Sequence, residues 1–167
     1  MAIKNNLDLT KIFSDIVATV IHETCRDIQE LLVNNIDEYT YRYGGLPNAN
    51  YYNGSGTPTW QFLEAFRLSG SEKKLNTIVQ SIFYDWQSME YDSETFLHGS
   101  PYNGDMRKAL AEVLNVDGST GFSSKQRKPY WDITIKQLFD EGKLIKFLDQ
   151  HMKENFAKVG LQVRKKI

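Results

Sequence analysis

Apolar side chains recur every three or four positions between residues 9 and 32, and charged side chains stand between them. This period predicts one amphipathic helix. Asp8 is placed to cap its start, and the pattern fades at Asn34 and Asn35, so the predicted helix has about 25 residues and is about 38 Å long. Such a length favours a helix that projects or lines an interface. The apolar positions are Leu9, Ile12, Phe13, Ile16, Val20, Ile28, Leu31 and Leu32.

The middle of the chain carries a different pattern. An apolar cluster spans residues 60–66, and residues 68–74 (LSGSEKK) are typical of a turn. Residues 76–86 place β-branched and aromatic side chains on both alternating faces, which favours a strand. The simplest pairing is a hairpin of residues 60–69 with 76–86. Residues 60–66 fit one or two helical turns equally well.

In the last third of the chain, the spacing of apolar residues again predicts helices. MRKALAEVLN (106–115) predicts a helix between Asp105 as its cap and Gly118. After Pro129 the period predicts two further helices, interrupted by Gly142 and ending at Gly160. Their apolar stripes comprise Trp131, Ile135, Leu138 and Phe139, then Leu144, Ile145, Leu148, Met152, Phe156 and Val159. Tyr130 and Trp131 are expected to seal the core.

These elements predict an α+β fold with a long N-terminal helix, a small antiparallel sheet and C-terminal helices. We expect one domain over residues 1–167, with a long loop at 43–58 and a basic tail at 161–167. The loop is rich in Gly, Pro, Asn and Tyr. Loops of this length are often functional, so Tyr51 and Tyr52 are predicted contact residues that become ordered on assembly. A plain flexible loop is the alternative.

The nearly neutral net charge of the chain conceals an uneven distribution of charged residues. The 20 basic and 21 acidic residues nearly cancel, but residues 1–106 carry 7 basic and 14 acidic groups, whereas residues 107–167 carry 13 and 7. Such asymmetry is typical of an oriented charged surface or of chance differences between solvent faces. In an assembly of copies, opposite charges would guide head-to-tail contacts that close into a ring.

Known catalytic and metal signatures are absent from the sequence. The chain has one cysteine, Cys25, and its three histidines (His22, His98 and His151) are far apart, without zinc spacing. It lacks a Walker loop, a GxGxxG fingerprint and a GxSxG elbow. It also lacks a long apolar run and a signal-like start. We therefore expect no cofactor, no metal and no membrane partner, with His22 and His151 at the solvent or an interface.

Two segments keep other functions open. The acidic stretch 85–94 with His98 could support a small hydrolase or bind a divalent cation, through Asp85, Glu90, Asp92 and Glu94. A solvated loop is the plainer interpretation. Lys125, Arg127 and Lys128 precede Tyr130 and Trp131, a combination that suits nucleic-acid binding together with the VRKKI tail. The same three cations are predicted interface residues, because they concentrate the positive charge of the last third.

The order of these features resembles the neck proteins of tailed bacteriophages, the tail-completion or head–tail joining group. The resemblance is carried by the long N-terminal helix, TPTWQFLEAF, TIVQSIFYD, HGSPYNGDMRKALAEVLN and RKPYWDITIKQLF, within residues 9–160. It implies an α+β virion subunit, assembled in the host cytoplasm, that acts without catalysis. Its implied partners are copies of itself in a ring and neighbouring neck and tail proteins, close to packaged DNA. No individual functional residue is carried over.

Overall fold

The computed structural model describes residues 6–42, 61–74, 77–89, 108, 111, 115 and 129–163. It confirms the α+β class. The order is α1 (Asn6–Ile36), a π-helix (Asp37–Arg42), α2 (Gln61–Glu64), β1 (Phe66–Leu68), β2 (Glu72–Lys74), β3 (Thr77–Val79), β4 (Ile82–Tyr84), a 3-10 turn (Trp86–Ser88), α3 (Tyr130–Phe139) and α4 (Lys143–Lys158). Lys108 and Ala111 are helical, Asn115 is in a bend, and the other residues of the predicted helix 106–115 lie outside the described part of the chain.

The N-terminal helix is longer than predicted. α1 has 31 residues and is about 46 Å long, and it continues directly into the π-helix. Asp8 lies inside α1, so it is not the predicted cap. Asn35 does not end the helix, because it is buried and its Nδ2 donates to Thr134 Oγ1 at 2.8 Å. A satisfied amide side chain removes the usual reason for a helix to fray at Asn.

The hairpin prediction is corrected in detail. Residues 61–64 take the helical alternative as α2, and the predicted turn at 68–74 instead contains the end of β1 and all of β2. β2 pairs with β3 in antiparallel register, and β1 pairs with β4. The predicted single strand 76–86 is therefore two strands of three residues, separated by Gln80 and Ser81. Ser69 shapes this break, since its N–H donates to the Ser81 carbonyl at 2.8 Å.

The chain folds as two compact units. The first comprises Met1–Ile28, Leu68–Ile82 and Gln137–Ile167. In it, buried Ile16 and Val20 of α1 share the interior with buried His151 and Asn155 of α4. α4 begins after Gly142, whose φ of 70° is a left-handed conformation that favours glycine, so the predicted interruption is confirmed.

The second unit comprises Gln29–Arg67 and Phe83–Lys136. Its interior is a cluster of rings in which Phe62 meets Phe66 at 5.4 Å and Tyr84 at 5.7 Å between centroids. The Gln29 side chain donates to the Phe66 carbonyl and ties α1 to β1. Other buried members are Leu32, Ile36, Ala65, Met89 and Tyr130.

Candidate interaction surface

Helix α3 is apolar on two sides, and only one of them is buried. Tyr130, Thr134 and Leu138 follow one another at four-residue intervals on the buried side. One position later, Trp131, Ile135 and Phe139 form a second row that is 45 %, 40 % and 62 % exposed. We call this row the α3 face. The expectation that Tyr130 and Trp131 both seal the core is right for Tyr130 and wrong for Trp131.

Polar contacts on the buried side fix the rotation of α3. The Tyr130 hydroxyl donates to the Ala111 carbonyl at 2.7 Å, and Thr134 Oγ1 donates to the Tyr130 carbonyl while it accepts from Asn35. Burial raises the pKa of the Tyr130 hydroxyl, which therefore stays a donor. Turning α3 to hide Trp131 would expose these groups or leave them unpaired. The α3 face is thus held toward solvent.

A second exposed apolar row runs along α4 and ends at Val159, the residue that follows the last turn of the helix. Ile145, Met152 and Val159 are spaced by seven residues and are between 37 % and 67 % exposed. We call them the α4 strip. On α1 the exposed Phe13 ring lies beside Phe156, with centroids 5.6 Å apart, and it widens the strip near its C-terminal end. Scattered single apolar residues are normal on a protein surface, whereas a row at helical spacing favours a contact surface.

The side of α4 that faces the interior carries a polar cluster. His151 is buried, so the prediction of a solvent or interface position is wrong. Its Nε2 lies 2.7 Å from Asp27 Oδ2, and its Nδ1 lies 3.3 Å from a Glu23 carboxylate oxygen without hydrogen-bond geometry. Asn155 Nδ2 donates to Glu23 and to the His151 carbonyl. These contacts join α4 to α1 within the first unit.

A signal for this cluster is present in the sequence. His151 and Asn155 stand four residues apart and fall between Leu148 and Phe156 of the apolar stripe. Polar side chains on an apolar helix face need partners there. Which partners they find depends on α1, more than 120 residues earlier, and no local pattern shows that. By contrast His22 is exposed as expected, and its Nδ1 lies 2.9 Å from Gln80 Nε2.

The residues that the sequence singled out for assembly lie outside the described part of the chain. They are Tyr51, Tyr52, Lys125, Arg127 and Lys128. Of the acidic stretch, Asp85 is described and pairs with Arg67 at 3.4 Å, whereas Glu90, Asp92, Glu94 and His98 are not described. Of the residues predicted for assembly or for an acidic site, only Asp85 therefore lies in the described part of the chain. Cys25 is a free, half-buried thiol whose pKa is raised by burial.

Within the described ranges, no three His, Cys, Asp or Glu side chains are arranged to hold a metal ion. Nor is any described helix long and apolar enough to cross a membrane. No protein-family model matches the chain, and no curated protein or solved structure is significantly similar to it.

Proposed function

We propose that this chain is a structural virion protein at the head–tail junction of a tailed bacteriophage. It acts in tail completion or head–tail joining by oligomeric assembly, without catalysis, and it enters the particle in the host cytoplasm. Its partners are copies of itself in a ring and the adjacent neck and tail proteins. The motifs that resemble neck proteins suggest this class, and the exposed α3 face is the observation that carries the proposal.

The α3 face has the composition of an interface centre. Trp is among the residues most often found at energetic hot spots, and Ile135 and Phe139 continue the apolar row one and two helical turns after Trp131. In the sequence, the cations Lys125, Arg127 and Lys128 precede Trp131 by three to six residues. The opposite net charges of residues 1–106 and 107–167 suit contacts between successive copies of a ring.

The direct test is the protein content of purified particles. Mass spectrometry of density-purified virions of the phage that carries this gene should find the chain at a fixed copy number. Deleting the gene should give filled heads and separate tails in electron micrographs. A chain that is absent from virions, or a deletion that leaves joined particles, contradicts the proposed function.

Two neighbouring substitutions separate assembly from folding. Ile135→Glu places a charge on the α3 face, whereas Lys136→Glu places one at an exposed position beside it, outside that row. Both variants should keep the melting temperature within a few degrees, since exposed positions tolerate change. Complementation by Ile135→Glu should fall by at least tenfold, while Lys136→Glu should complement. Equal complementation by both variants would contradict a role of the α3 face in assembly.

The exposure of Trp131 also favours the second candidate, a nucleic-acid-binding accessory protein. An exposed indole can stack on a base, and a basic stretch precedes Trp131 in the sequence. This function predicts quenching of tryptophan fluorescence by single-stranded DNA, with an affinity that falls steeply as salt rises. Trp131→Leu should abolish most of the quenching. No quenching at low salt excludes this candidate.

A further inference from the structure

The three residues of the α4 strip are arranged symmetrically about Met152. Ile145 stands seven residues before it and Val159 seven residues after it. An α-helix returns to nearly the same side after seven residues, so the strip is one line of about 21 Å. The half-buried Leu148 and Phe156 stand four residues on either side of Met152 and repeat the symmetry. Reversing the helix direction about Met152 therefore places apolar positions on apolar positions.

The rotation of α4 is fixed with the strip outward. His151 and Asn155 on its inner side contact Asp27 and Glu23 of α1. Turning α4 to bury Met152 would break these contacts and leave buried polar groups without partners. Within the first unit, the strip cannot be covered by a small rotation of its own helix.

We propose that the α4 strip is a two-fold interface between two copies of this chain, in which the α4 helices pair antiparallel about Met152. Met152 packs against Met152, and Ile145 of each copy packs against Val159 of the other. A two-fold interface needs a surface that is complementary to itself, which the symmetry of the strip provides. Phe13, beside Phe156, then lies near the partner end that carries Leu148.

Charge selects the antiparallel direction. Asp149 and Lys153 flank the strip as an exposed ion pair. Reversal about Met152 brings Lys153 of one copy within about 3 Å, along the helix axis, of Asp149 of the other. In this arrangement the ion pair of each copy also contacts the ion pair of the other copy. Parallel pairing about a two-fold axis would instead put the ion pairs of the two copies on opposite edges of the interface, where neither pair meets the other.

The size of the strip sets the strength of the pairing. A line of about 21 Å on a helix about 10 Å wide buries a few hundred Å² per copy, less than the roughly 800 Å² of a standard interface. We therefore expect a weak dimer that dissociates on dilution. This pairing does not depend on the phage-neck function, because it is measured on the purified chain alone.

Analytical ultracentrifugation of the purified chain tests the interface. Between about 5 and 500 µM, the range of a weak complex, the weight-average mass should rise from monomer toward dimer. Met152→Glu should raise Kd at least tenfold. The matched control Gln150→Glu adds the same charge at an exposed position on another side of α4 and should leave Kd within twofold. A chain that stays monomeric, or a dimer unaffected by Met152→Glu, overturns the proposal.

Orientation is tested by charge exchange and by cross-linking. Asp149→Lys or Lys153→Asp alone should weaken the dimer, and the double exchange should restore it. In a Cys25→Ser background, a mixture of Ile145→Cys and Val159→Cys chains should form the mixed disulfide on mild oxidation. A prevailing disulfide between two Ile145→Cys chains, or no rescue by the double exchange, contradicts antiparallel pairing.

Discussion

The Nε2 atom of His151 lies 2.7 Å from Oδ2 of Asp27, a residue 124 positions earlier in the chain. The contact sets the rotation of α4 against α1 and so decides which side of α4 meets solvent. Because His151 is buried between two carboxylates, the contact also bears on stability. Removing one member of a buried charged or hydrogen-bonded pair is far more costly than removing a member of an exposed pair.

Two aspartates of the same helix allow this to be measured. Asp27→Ala should lower the free energy of unfolding by about 3 kcal/mol, because it removes the hydrogen-bond partner of His151 Nε2. Asp15→Ala makes the same chemical change on α1 but removes only an exposed contact with Lys73, at 3.2 Å, and should cost about 0.5 kcal/mol or less. Urea denaturation followed by circular dichroism gives both values. Equal losses would mean that the His151 contact adds nothing.

The buried hydrogen bond between Asn35 and Thr134 should be detectable as a coupling. Asn35→Ala removes the hydrogen bond that the buried Thr134 hydroxyl accepts, and it should lower the free energy of unfolding by about 2 kcal/mol. A double-mutant cycle with Thr134→Val should give a coupling energy of about 1 kcal/mol, measured by chemical denaturation. The exposed neighbour Asn34 is the control, and Asn34→Ala should change stability by about 0.5 kcal/mol or less. A coupling energy near zero would contradict the contact.

Tyr130 predicts a loss of stability in alkali. Burial raises its pKa in the folded chain, so above about pH 10 the unfolded chain releases this proton while the folded chain keeps it. The contribution is complete below the unfolded pKa and is lost as pH rises toward the folded one, by at most about 1.4 kcal/mol per pH unit. The Tyr130→Phe variant has no hydroxyl to ionise, so its stability lacks this pH-dependent contribution. Its stability deficit relative to wild type, measured by urea denaturation, should therefore shrink between pH 9 and 11.

Other alkaline losses are common to the two proteins and cancel in that difference. At pH 7 Tyr130→Phe should be less stable by about 1 kcal/mol, because the Ala111 carbonyl loses its donor. A deficit that stays constant over the alkaline range would show that the hydroxyl is not protected from ionisation.

The ring cluster of the second unit predicts a contrast between two phenylalanines. Phe62 is fully buried against Phe66 and Tyr84, so Phe62→Ala should cost about 4 kcal/mol and reduce the near-ultraviolet circular dichroism. Phe83 in β4 is 45 % exposed, and Phe83→Ala should cost about 1 kcal/mol or less. Thermal unfolding checks both. Similar losses from the two substitutions would place Phe62 outside the core.

The sequence predicts those parts of the fold that depend on local period. α1, α3 and α4 follow from the spacing of apolar residues, and the break at Gly142 follows from its freedom to adopt a positive φ. The α3 face shows the limit of this reasoning. Tyr130 and Trp131 are adjacent and both begin rows at four-residue spacing, but only the exposed Trp131 row is apolar throughout, so the period alone favours the wrong row. Contacts with Asn35 and Ala111 decide it, and both are distant in sequence.

The sequence indicated the chemical character of the candidate surfaces, but it did not show which apolar residues are exposed. Positive charge and aromatic residues before α3 favoured an interface, and the structure adds that the apolar row beginning at Trp131 is exposed. The symmetry of the α4 strip is visible in the sequence, but its exposure depends on the distant partners of His151. A short helix with apolar residues on several sides has no inner side until the rest of the chain supplies one.

The division of the chain into units has a consequence for how the protein can be inherited and dissected. The chain passes four times between the units, after residues 28, 67, 82 and 136, and each passage falls inside a helix or a strand. No continuous stretch of the gene encodes either unit alone. Recombination therefore cannot donate one unit to another protein as a module, and a protease cut at any one passage divides a helix or strand without releasing a whole unit. Any continuous segment that carries one whole unit also carries at least part of the other.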